Sequence, residues 1–105
     1  MKAKLRWRPR SRTELLEIYA TIALDKPMAA EHWLTEIEDR AAMLAEHPRL
    51  GVRRPELTKS AHMVSVGNYL IVYQTHPDSD EGAVDEVEIV RVVHGSRDLS
   101  RVFSS

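Results

Sequence analysis

HMVSVGNYLIVYQT, residues 62 to 75, decides how the rest of the chain is read. Two runs rich in Val, Ile and Tyr flank Gly67-Asn68, a two-residue link whose residues tolerate the positive backbone angles of a tight hairpin turn. The pairing register is then set locally. In the second run Tyr69, Ile71 and Tyr73 fall on one face and Leu70 and Val72 on the other, so this strand is apolar on both sides and reads as central.

Downstream, Asp80-Glu81-Gly82 falls in a connection, and EVEIVRVVH, residues 86 to 94, supplies a third strand of the same antiparallel series. Strict alternation places Val87, Ile89, Arg91 and Val93 on one face, opposite Glu88, Val90, Val92 and His94. A short helix or turn from Ser96 to Phe103 closes the chain, with Asp98 in its first turn, where a carboxylate offsets the helix dipole. Arg91 stands among valines. An unpaired buried charge costs several kcal/mol, roughly, so Arg91 must reach water at an uncovered face or meet an acid.

Upstream, Ala3, Leu5 and Trp7 alternate with Lys4, Arg6 and Arg8, which predicts a strand ended by Pro9 with one basic row. That row is either a solvated edge that discourages strand pairing or a dock for an acidic partner. Ser11 and Glu14 fit a capping box, and Leu15, Ile18, Tyr19 and Ile22 then form one helical face ending near Leu24. Asp25 is expected to cap a second helix whose first turn holds Pro27. Its stripe is Ala30, Trp33, Leu34, Ile37, Ala41 and Leu44, with Trp33 assigned to the core, and Pro48 stops it. So short a link makes the two helices antiparallel. Residues 48 to 60 carry turn formers without periodicity and read as a loop.

The expected fold is a two-layer α/β (α+β) domain: an N-terminal strand, an antiparallel helical hairpin, a three-stranded antiparallel meander and a short C-terminal helix. With 105 residues, one domain spanning 1–105 is expected. Two helices cover one face of the sheet, and the other face is expected to stay partly bare, a surface for a partner.

Composition narrows the class. The chain is 43% hydrophobic and 30% charged with a net charge of −1, the balance of a soluble globular protein without a global field for nucleic acid. Apolar runs are too short to cross a bilayer, and no secretion signal is visible in the basic, alternating N-terminus, which points to the cytoplasm. Absence of cysteine removes disulfides and thiolate chemistry. The five histidines lack local metal-ligand spacing and only four glycines are present, so no metal site, phosphate-cradling loop or cofactor is expected.

TELLEIYATIA (13–23), HPRLGVRRPEL (47–57), VGNYLIVYQ (66–74) and above all IVRVVHGSRDL (89–99), in this order and spacing, resemble the ParE branch of the RelE/ParE superfamily. These are toxins of bacterial type II toxin-antitoxin pairs. The resemblance implies neutralisation by a ParD-like antitoxin in a hetero-oligomer and inhibition of DNA gyrase by binding. RelE-like relatives instead cut messenger RNA on the ribosome, which needs a proton acceptor, cations for the phosphate and a donor for the leaving oxygen. Arg97 matches an arginine of that equipment, but Phe103 stands where its tyrosine would be, and a phenyl ring transfers no proton. A nuclease would have to rely on Arg91, Arg97 and a histidine such as His94. His62 stands where many relatives have an arginine, and histidine carries charge only part of the time at neutral pH. A member that binds its antitoxin without being toxic is a third reading. Target contact is therefore expected from Arg91, His94, Arg97 and Asp98, and antitoxin contact from Lys4, Arg6, Arg8, Tyr69 and Tyr73. No catalytic residue is assigned, and neither a membrane nor sequence-specific nucleic-acid binding by the toxin alone is expected.

Overall fold

The computed structural model describes residues 2–103. Its elements run β1 (Lys4–Trp7), α1 (Pro9–Asp25), α2 (Pro27–Glu46), β2 (Val52–Arg53), β3 (His62–Val66), β4 (Tyr69–His76), β5 (Glu86–His94) and α3 (Leu99–Phe103). The sheet order is β1-β5-β4-β3-β2, so β4 is central as its doubly apolar pattern requires. Strands β3, β4 and β5 form the expected meander, turned at Gly67 with φ +58°. β1 lies parallel to β5, with Arg6 opposite Glu88.

Local details depart from the sequence reading. Pro9 does not merely end β1; it opens α1 at a position where its missing N–H costs nothing. The cap residue is Arg8, without a side-chain cap, so the Ser11–Glu14 capping box is not formed. Ser11 is buried inside the first turn and donates to the carbonyls of Arg8 and Ile89, at 2.6 and 3.1 Å, stitching α1 to β5. Asp25 is the last residue of α1, and Lys26 alone links the helices, held out of helical geometry ahead of Pro27. Within the expected loop, Val52 and Arg53 pair with Met63 and His62. Two residues carry no period, so this strand was not readable.

The helices bury Leu15, Trp33, Ile37, Ala41 and Leu44 against Val64, Ile71, Tyr73, Val87, Ile89 and Val92. Tyr73 sits at the centre, fully buried, its hydroxyl donating to the Pro48 carbonyl and accepting from the Gly51 N–H at 2.8 Å each. Gly51 permits this approach, since a Cβ there would lie 2.6 Å from the Tyr73 hydroxyl.

A bulge overturns the expected alternation of β5. Val72 pairs with Arg91 but Tyr73 pairs with Ile89, so β5 spends two residues against one. Val92 thereby joins Ile89 in the helix-side core, and Arg91 leaves it. The second face is not bare either. Val72 packs there with Leu57 and Ala61, and Met63, Leu99 and Phe103 lie against them, so the preceding loop and α3 cover part of the sheet within this chain. Elsewhere on that face Arg6 and Arg8 of β1 meet Glu88 of β5.

Candidate functional site

β1 accompanies β5 only to Ile89, so the outer edge of the remaining strand lacks a strand partner. α1 runs past this gap and supplies Glu14. Its Oε1 accepts the Val92 N–H at 3.0 Å, and Oε2 accepts Arg91 Nε and Nη2 at 2.9 and 2.6 Å. One side chain thus satisfies an edge amide and neutralises a guanidinium whose side chain is 9% exposed. Arg91 also donates to the Val102 carbonyl at 3.3 Å, and its guanidinium lies 5.5 Å from the Phe103 ring. Arg91 has met an acid, and its two alternatives are decided in favour of an internal pair.

Beside this pair is an open recess of about 420 Å³ between α1 and the end of β5. Arg10, Glu17 and Thr21 line it from the helix, and Tyr69, His94 and Arg97 from the other side. His94 Nδ1 accepts the Ser96 N–H at 3.0 Å and is 2.7 Å from the Ser96 hydroxyl, an arrangement that leaves the ring proton on Nε2. The imidazole is edge-on to Tyr69, centroids 5.0 Å apart, and Tyr69 in turn meets Trp33 at 5.3 Å. Arg97 is exposed. Asp98 stands just outside, capping α3 through the Ser100 N–H at 3.1 Å and the Ser100 hydroxyl at 2.7 Å. Of the four residues expected to meet a target, Arg91, His94 and Arg97 share the recess, while Asp98 is spent on the cap.

The residues expected to meet an antitoxin are scattered by the fold. Lys4 is exposed, but Arg6 and Arg8 reach Glu88, at 3.0 Å from Arg6 and 3.1 Å from Arg8 Nε. Arg8 foremost, then His76 and Arg6, hold the Glu88 carboxyl down at about 2 against the opposing effect of burial. The basic row is therefore neither a plain solvated edge nor a free dock. Tyr69 is half-buried on the helix side of the sheet, not on the opposite face. Tyr73 is enclosed and presents nothing to a partner. His62 is buried and stacked on Tyr73, 5.1 Å between centroids, and burial, then the nearby Arg53, pushes its pKa below the ordinary value.

Sequence reading missed Arg10 and the true role of Glu14. The signal was present: Arg10, Glu14, Glu17 and Thr21 recur at helical spacing, a polar stripe flanking the apolar one. Among the described residues no group of three or more His, Cys, Asp or Glu could hold a metal. No helix among them is long and apolar enough to cross a membrane.

Residues 5–99 match the family model of the ParE toxin of the type II toxin-antitoxin system parDE. The chain belongs to the ParE toxin family. No curated protein matches it. Among solved structures, the chromosomal ParDE toxin-antitoxin system from P. aeruginosa is similar, with TM-score 0.70 and 17% identity over 89% of this chain and 96% of that one. At that identity the likeness speaks for the fold, the mixed α and β arrangement common to this ParE toxin and that system.

Proposed function

We propose that this ParE-family toxin acts by binding DNA gyrase in the cytoplasm and is held inactive by a ParD-like antitoxin, residues 1–105 serving as one toxin domain. The observation that carries the binding reading over catalysis is the state of Arg91: its charge is matched by Glu14 and its outer side meets Phe103. RNA cleavage needs cations free to follow charge onto a phosphate and a group that accepts a proton. The recess offers Arg10 and Arg97 as cations, but Phe103 is inert and His94 Nδ1 is occupied by Ser96. Supercoiling by purified gyrase should slow on addition of the toxin and recover when the antitoxin is added. Site-specific cutting of a message in a ribosome assay would instead establish the nuclease reading. Antitoxin contact is assigned to Lys4, Arg6 and Tyr69, of which Lys4 and Arg6 are exposed, with Arg8 contributing through their shared acid, Glu88.

A further inference from the structure

We propose that the recess between α1 and the end of β5 is the docking site for an acidic loop of the toxin's target, read by Arg10 and Arg97. This rests on the proposal that the toxin works by binding a protein target. Among the described residues neither Arg10 nor Arg97 has a side-chain partner, although both are exposed on opposite walls of one recess. Their neighbours do not quench them. Glu14 is committed to Arg91 and the Val92 amide, which leaves Glu17 as the other carboxylate in the lining. With Arg91 included, three arginines face two glutamates. His94, with Nδ1 taken by Ser96, offers an N–H at Nε2, and Thr21 adds a hydroxyl.

Glu17 apart, the groups left uncommitted are donors and positive charge, and they suit a carboxylate accepting from a guanidinium fork. Size selects the source. A recess of about 420 Å³ takes a few side chains projecting from a loop; it is too small to enclose a long wrapping segment. On its far side Tyr69 also borders a shallow apolar recess with Met28, Trp33 and Val66, so an apolar residue next to the acid would find a seat.

The test uses the full chain with Arg10→Glu and Arg97→Glu combined, and with both changed to Gln as a milder pair. Three readouts are taken: growth arrest on expression without antitoxin, inhibition of gyrase supercoiling, and affinity for purified antitoxin, with thermal melting as a fold control. The charge-reversed protein should lose growth arrest and inhibit supercoiling about tenfold or more weakly, with the Gln pair between it and wild type and antitoxin affinity within about threefold. Unchanged toxicity in a protein that melts like wild type would overturn the assignment, as would loss of antitoxin affinity alone or equal loss of both. If wild type arrests growth without inhibiting gyrase, gyrase is the wrong target, and the recess is then judged on growth arrest alone. A wild type that does neither overturns both proposals.

Discussion

Glu88 within β5 and Glu14 reaching it from α1 each place a carboxylate at this strand, one on each side of its bulge, and the fold uses them in opposite ways. At Glu88 basic side chains converge: Arg6, Arg8 and His76 all lie within 3.1 Å of one acid, beside the strand pairing that β1 provides. At Glu14 the acid is used up on Arg91 and a bare edge amide, and Arg10 and Arg97 nearby go without. In the first cluster two arginines meet two acids, Glu88 and Glu86, and their charge is spent holding β1 beside β5. The second has positive charge left outward, which is what a recognition surface needs. Charge counts along the sequence show no such contrast; only the register and the bulge separate the two ends of the strand.

Breaking the second cluster at its centre should have the largest effect. Glu14→Ala would strand the Arg91 guanidinium with only the Val102 carbonyl and Phe103 beside it, and would leave the Val92 N–H unpaired. We expect a loss of about 3 kcal/mol in urea-monitored unfolding, since removing one partner of a mostly buried pair leaves its charge uncompensated. Glu14→Gln should lose less, because it still accepts from Val92. A Glu14→Ala protein within about 1 kcal/mol of wild type would mean that the edge is held by something else.

The first cluster should show itself through pH. The Glu88 carboxyl titrates at about 2 in the fold, against an ordinary 4.5. A group whose folded pKa is depressed contributes stability that is complete above its unfolded value and lost as pH falls through the folded one. The loss should therefore spread from about pH 5 down to about 2. Full conversion of the shift would give about 3 kcal/mol, but Arg6 and Arg8 have side chains 59% and 41% exposed, so solvent screening brings the expectation to about 1–2 kcal/mol. Glu88→Gln should flatten the stability profile in that window. An unflattened profile would transfer the pH dependence to other carboxyls.

Much of the fold was legible because its signals are local. Gly67-Asn68 between two β-rich runs defines the hairpin, and the stripes ending in Ile22 and Leu44 define the helices, with nothing distant needed. The candidate site was legible only in part. Arg91, His94 and Arg97 were singled out, yet the faces of Arg91 and His94 were misassigned, because a bulge adds one residue to β5 and its cause, the match to Tyr73 on β4, is a tertiary fact. Glu14 was read as a cap because its spacing from Ser11 suits one; its real partners lie 77 and 78 residues away. Tyr73 was expected to meet an antitoxin on a face thought bare, whereas the approach of Gly51 and Pro48 closes over it.

The smallest effect is the sharpest comparison. Replacing Arg6 and Arg8 together by Ala removes both cations from the Glu88 carboxylate, and we expect about 1 kcal/mol of lost stability, shrinking as salt rises because both arginines meet solvent. Replacing Arg10 and Arg97 together by Ala removes the same formal charge from the same chain. Neither has a side-chain partner among the described residues, so the cost should stay within about 0.5 kcal/mol and be indifferent to salt. Net charge cannot account for a difference between the two doubles, because both change it equally. Equal costs would mean that the Arg10 and Arg97 side chains find structural partners in solution, and that the two ends of β5 are held alike.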